Sequence, residues 1–161
     1  GVQTCALPIC DVLKSVLKEY HKIGESFKTI ALIFATAVLI DHHVLKKAME
    51  EFEKGDTSVQ LLSVTKYPAP IEKAMRLGSD QKLLPVNLEI IPLQSNNLSE
   101  AYFETGDFVI YDEESLMDNS QHSLKRGFPL PPWQSVDIDT IEDWNLAENF
   151  YLMKKYNSNN R

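Results

Sequence analysis

Val136-Asp137-Ile138-Asp139-Thr140-Ile141-Glu142-Asp143-Trp144 reads as a strand that runs into a helix, with two carboxylates at the junction. Residues two apart on an extended backbone leave the same face, so Asp137 and Asp139 are expected to project together. Thr140 reads as the helix N-cap, and Asp143 three residues later completes a variant of the capping box. Asp143 therefore has a role of its own at the helix start and is not counted as a ligand. Two acidic groups where a strand gives way to a helix suit a hard cation such as Mg2+, which takes oxygen ligands and commonly carries substrate phosphates. That junction is also where open α/β sheets bind ligands.

Outward from this stretch the chain alternates. The closing helix is predicted from Ile141 to about Lys155, with Trp144, Ala147, Phe150 and Tyr151 on one face. Near the start, Val12, Leu13, Val16, Leu17, Tyr20 and Ile23 recur at helical spacing up to Gly24. Thr29 to Ile40 is an apolar run without alternation, the pattern of a strand buried on both faces of a parallel sheet. Asp41 can cap a second helix that ends at Gly55, and Ser58 to Thr65 reads as another strand. The middle is less regular. Ile71 to Leu77 and Gln81 to Leu84 are predicted to pair around Gly78-Ser79-Asp80, and Asn87 to Ser99 reads as a loop. Asp107 to Tyr111 reads as a short strand, Glu113 to Met117 as a short helix with a solvated acidic start, and Asn119 to Arg126 as polar linker. The alternation is that of a three-layer α/β domain.

Composition sets limits on function. The chain has 161 residues, 43% hydrophobic and 24% charged, which is one globular domain's worth. Its net charge of -7 and pI near 5.1 argue against a nucleic-acid partner, for which a basic stripe is needed. The longest apolar run is too short to span a bilayer, and no secretory signal is visible, so no membrane partner and a cytoplasmic location are expected. Cys5 and Cys10 lack the partner spacing of a zinc site. His21, His42, His43 and His122 read as surface residues. Residues 1–9 look like the translation of a common sequencing adaptor. Residues 1–10 are accordingly excluded from fold reasoning. The domain is expected over 11–156, with a possible dimerising or sugar-binding excursion at about 74–104 and a polar tail at 157–161.

Several segments together resemble the acylneuraminate cytidylyltransferases, most closely the pseudaminic acid branch. They are Asp11-Val12-Leu13, Ile33-Phe34-Ala35-Thr36-Ala37, Ser63-Val64-Thr65-Lys66-Tyr67-Pro68, Pro70-Ile71-Glu72-Lys73-Ala74, Ala101-Tyr102 with Gly106, and Asp137-Ile138-Asp139-Thr140 with Glu142-Asp143-Trp144. The resemblance implies a nucleotide-diphospho-sugar transferase fold with a mixed, mainly parallel sheet, and a homodimer. It implies transfer of CMP from CTP to a nine-carbon acidic sugar, with attack by the anomeric hydroxyl and release of pyrophosphate. It also implies Mg2+ held by Asp137 and Asp139. A Gly- and Lys-rich phosphate loop of the family has no counterpart here, because the six glycines are scattered. The chain is therefore expected to be the carboxyl part of such an enzyme and inactive alone, without its nucleotide-binding portion. The strand at Thr29 would then be an apolar edge and the isolated chain poorly soluble.

The resemblance also points to sugar contacts. Thr36 stands in the family's Ala-Thr-Ala-Pro pattern, with Val38 in place of the proline. Gln94 and Asn96 stand where relatives have Arg and Gln. A neutral amide does not replace the charge of an arginine fork, so sugar specificity is left open. Tyr102 and Asp107 flank Gly106 in Tyr-Phe-Glu-Thr-Gly-Asp, where relatives often have Tyr-His-Asp-Ala-Gly-Gln. The alternative reading is a non-catalytic α/β module of this fold that binds a sugar or a partner protein.

Overall fold

The computed structural model describes residues 9–87, 98–118 and 124–159. Their order is α1 (Ile9–Lys22), β1 (Thr29–Ile33), α2 (His42–Lys54), β2 (Leu61–Lys66), β3 (Met75–Leu77), β4 (Leu83–Pro85), β5 (Tyr102–Asp112), α3 (Glu113–Met117), β6 (Arg126–Pro129) and α4 (Ile141–Asn159). Short 3-10 turns occupy Ile71–Lys73 and Pro132–Gln134. The fold is α/β, with a four-stranded sheet in the order β1-β5-β2-β6 and a separate β3-β4 hairpin. The hairpin forms around Gly78 as its turn residues predict, with Met75 opposite Pro85 and Leu77 opposite Leu83.

The main sheet is mixed, but antiparallel pairing predominates where parallel was expected. β1 runs antiparallel to β5, Thr29 opposite Asp112 and Ile33 opposite Phe108. The Tyr67 amide donates to the Ala101 carbonyl at 2.9 Å, and the Asp107 amide donates to the Ser63 hydroxyl at 3.2 Å, so β5 also opposes β2. Parallel pairing is confined to β2 and β6, where the Arg126 amide donates to Gln60 and the Leu130 amide to Val64. The helical crossover between β1 and β2 suggested adjacent parallel neighbours; instead β5 lies between them.

Two compact units are distinguishable: 1–35, 40–62 and 108–128, and 36–39, 63–107 and 129–161. In the first, Leu17 of α1, Tyr111 of β5 and Leu116 of α3 form a buried cluster against which Leu13, Ile30, Leu32 and Val109 pack. β1 buries one face only: Ile30 and Leu32 are half-buried, while Ala31 and Ile33 are exposed. The run from Thr29 to Ile40 is therefore not one doubly buried strand. It ends at Ile33, turns follow, and β1 is a sheet edge, which explains the exposed alternate residues.

Helix ends follow local chemistry. Gly24, at φ +82, closes α1 in the left-handed region, and the Glu25 amide donates back to the Tyr20 carbonyl at 3.1 Å. Asp41 caps α2 by accepting the amides of His43 and Val44. At the other end of α2, Arg126 donates to the carbonyls of Glu51, Phe52 and Asp56 at 2.7–3.1 Å. A guanidinium there satisfies orphan carbonyls and faces the negative end of the helix dipole. A Cβ on Gly55 would overlap this guanidinium, so Gly55 is what admits it. Arg126→Ala is expected to lower stability by about 1–2 kcal/mol, and Gly55→Ala to act in the same direction; urea unfolding measures both. Sequence reading had placed Arg126 in a linker.

The acidic start of α3 is also more than solvated charge. Asp112 caps the helix by accepting the Ser115 amide at 3.0 Å. Glu113 is buried, accepts the Phe27 amide, and pairs with His21 Nε2. His21 is exposed, as expected of a surface residue, and also partners this buried carboxylate. Glu113→Gln removes the charge that strengthens both bonds and is expected to cost about 1 kcal/mol in thermal unfolding.

In the second unit, the expected strand at Val136–Asp139 is absent. Pro129, Pro131 and Pro132 cannot donate ladder bonds, so β6 ends at Pro129, the Leu130 amide makes a last bond to Val64, and the 3-10 turn follows. Residues 135–138 are irregular, and α4 begins at Ile141. On α4, Ala147 is buried and Phe150 half-buried, but Trp144 and Tyr151 are exposed, unlike the expected buried face. Lys154 lies over the Trp133 ring and donates to the Leu39 carbonyl at 3.4 Å. Among the described residues no helix is long and apolar enough to cross a membrane.

Candidate functional site

The start of α4 is built as its residues predict. The Asp143 carboxylate accepts the amides of Asp139 and Thr140 and the Thr140 hydroxyl, while the Asp143 amide donates to Thr140 Oγ1 at 3.2 Å. The Thr140 hydroxyl, then its amide, holds the Asp143 carboxyl below the usual carboxylate range. This reciprocal cap fixes the backbone on which Asp139 sits. Asp137 and Asp139 are both exposed on the irregular segment before the helix. The same-face argument from a strand no longer applies to them.

A second acidic side chain is sensitive to the charge of Asp137. Asp107 of β5 is 3% exposed, and its Oδ2 is buried with no hydrogen-bond partner among the described residues. The Thr105 hydroxyl is buried and unpartnered as well. Gly106 between them has φ +69; Thr105 and Asp107 are buried on either side of it, and the alternation of β5 breaks only at Phe108, which is buried as well. A backbone in the left-handed region is open to glycine, which has no Cβ to clash. The Ser63 hydroxyl then holds the Asp107 amide. Burial pushes the Asp107 carboxyl up to about 6; the neighbouring Thr105 hydroxyl pulls the other way, and the Asp137 charge adds to the rise. Asp107 and Asp137 therefore share an electrostatic environment.

The other expected contacts are dispersed. Thr36 is half-buried in the turn after β1, and its carbonyl accepts the Val38 amide at 2.8 Å. Tyr102 is exposed, and its hydroxyl donates to Glu100 Oε2 at 3.0 Å. Glu100 also pairs with Lys66. Lys66 first, then Tyr102, lowers the Glu100 carboxyl, and the bond to Glu100 raises the Tyr102 hydroxyl. Lys66 and Glu100 of this trio border a cleft of about 440 Å³ lined also by Tyr67, Pro68, Pro70 and Ser99. Gln94 and Asn96 lie outside the described residues. An apolar pocket of about 190 Å³ is formed by Val38, Ile138, Trp144, Ala147 and Tyr151. Sequence reading named Asp107 only as a sugar contact and missed the Lys66–Glu100–Tyr102 set. The buried aspartate next to a strand glycine was the available signal for the first. The second joins residues 34 apart, which no local spacing reveals.

Among the described residues, no group of three or more histidine, cysteine, aspartate or glutamate side chains is gathered as a metal cage. Two carboxylates with open coordination positions remain compatible with Mg2+, which keeps several waters and substrate oxygens.

No protein-family profile matches the chain. The chain is similar to two proteins named pseudaminic acid cytidylyltransferase. One, from Campylobacter jejuni subsp. jejuni serotype O:2, is 24% identical over 144 residues, covering 87% of this chain and 61% of that protein. The other, from serotype O:23/36, is 26% identical over 132 residues, covering 80% of this chain and 56% of that protein. The chain thus spans about three-fifths of the length of these curated relatives. They support a relation to the cytidylyltransferases, a class of nucleotidyltransferases.

Proposed function

We propose that the chain is part of a cytidylyltransferase that transfers CMP from CTP to a nine-carbon acidic sugar, pseudaminic acid or a related nonulosonic acid. Similarity over most of the chain to two proteins with that name carries the reading. The exposed acidic segment in front of α4 supports it chemically. Asp137 and Asp139 would hold Mg2+, which when bound offsets charge on the triphosphate and orients it. The chain's own part is to fix that segment. The Thr140–Asp143 cap sets its end, and the three prolines before it limit its path. Thr36, Gln94, Asn96, Tyr102 and Asp107 are the sugar contacts of this reading, and the assembly is a homodimer.

The test is pyrophosphate release from CTP by the longest natural reading frame that contains this sequence. Pseudaminic acid, N-acetylneuraminic acid and 3-deoxy-octulosonic acid are compared as acceptors. Turnover with a nine-carbon acid and Mg2+, and none without acceptor, is expected. No release with any of the three sinks the proposal.

A further inference from the structure

We infer that Lys66 is the cation that receives the carboxylate of the acidic acceptor, with Glu100 and Tyr102 as the residues that position it. The inference deepens the reading of the chain as part of a cytidylyltransferase acting on an acidic sugar, and rests on it. An acid withdrawn from bulk water needs a counter-charge in its site. Of the expected sugar contacts, Thr36, Gln94, Asn96 and Tyr102 carry no charge, and Asp107 has the wrong sign. The cleft of about 440 Å³ next to Tyr102 has the size of a small-molecule site, and Lys66 is the one basic residue among those described that line it.

The cleft lies within one unit of the fold. Its two walls are Lys66 to Pro70, at the end of β2, and Leu98 to Ala101, leading into β5. The Tyr67 amide ties them together by donating to the Ala101 carbonyl at 2.9 Å. Pro68 and Pro70 limit the path of the first wall, and the Tyr67 ring packs on Phe103 with centroids 4.7 Å apart. Ring and prolines offer an apolar surface to the carbon skeleton of a sugar. On this frame Lys66 is held in place. Its ammonium donates to Glu100 Oε1, and the Tyr102 hydroxyl donates to Glu100 Oε2 at 3.0 Å, so both carboxylate oxygens are engaged. The Tyr102 proton is thereby committed, and the tyrosine acts through Glu100. An ammonium has three donors; Glu100 takes one, which leaves two for an incoming carboxylate. An exposed ion pair adds little to stability, but this one fixes where a positive charge stands on the wall of a cleft.

The experiment uses the longest natural reading frame that contains this sequence, with the nine-carbon acid that turns over and the carboxamide made from its carboxylate. Where the amide does not turn over, its inhibition constant takes the place of KM. Wild type is expected to prefer acid to amide by about tenfold or more. Lys66→Met and Lys66→Gln are expected to raise KM for the acid by about tenfold or more and to abolish that preference, with kcat and the KM for CTP unchanged. Lys66→Arg is expected to keep most of the preference, and Tyr102→Phe to reduce it at unchanged kcat. Lys82→Met, which breaks the pair with Asp80 in the hairpin turn, is expected to leave it whole. An unchanged KM for the acid in both neutral Lys66 variants overturns the inference and leaves the transferase reading standing. A rise equal for acid and amide overturns it too, because the cleft was then disturbed and no charge was read. The same loss of preference in Lys82→Met overturns it as a general effect of net charge. A preference left whole in Tyr102→Phe overturns the positioning by Tyr102. No pyrophosphate release by wild type with any acid takes down the transferase reading, and the inference with it.

Discussion

Asp137→Asn and Asp139→Asn are each expected to lower Mg2+-dependent pyrophosphate release about a hundredfold or more. An amide keeps the shape of the carboxylate but not its charge, and a hard cation is held chiefly by charge. Both side chains are exposed, and the cap at Thr140 and Asp143 uses neither of them. The variants should therefore fold like wild type and unfold at an unchanged temperature. The defect should appear as a raised Mg2+ requirement, so that higher Mg2+ restores part of the rate. Equal turnover in both variants at limiting Mg2+ would remove the metal assignment. A fall in Asp137→Asn alone would leave Asp139 with only its backbone role, its amide donating to Asp143.

Local chemistry was readable in the sequence, and long-range placement was not. The Thr140–Asp143 cap, the Asp41 cap, the Gly24 stop and the hairpin at Gly78 each depend on residues within a few positions. The strand at Val136–Asp139 was misread because alternation alone does not specify a pairing partner; β6 begins ten residues earlier and ends on the first of the three prolines. β5 was underestimated because Tyr102 to Glu104 are exposed and Gly106 interrupts the pattern, which hides an 11-residue strand. The apolar run after Thr29 suggested burial on two faces, but an edge strand covered on one face tolerates the same composition. At the candidate site, the metal pair was read from spacing on a strand that does not form. Asp107, 30 residues before Asp137 in sequence, is a buried aspartate whose burial no local motif announces.

That buried aspartate gives a pH dependence of definite sign. The Asp107 carboxyl is raised from 3.8 to about 6 in the folded chain. Between those values the folded state binds more protons than the unfolded one, so stability falls as pH rises. Below about pH 4 the group is neutral in both states and carries no penalty; above about pH 6 the penalty is complete. At full strength a rise of this size is worth about 3 kcal/mol, and solvent near the pair reduces it to about 1–2 kcal/mol. Asp107→Asn removes the charge in nearly the same shape. The difference in urea-unfolding free energy, variant minus wild type, is therefore expected to grow by about 1–2 kcal/mol from pH 4 to pH 7 without metal. Taking the difference cancels the carboxylates common to both proteins, including Asp143, whose lowered carboxyl acts in the opposite sense. A flat difference across that window would mean that Asp107 meets water or a donor in solution.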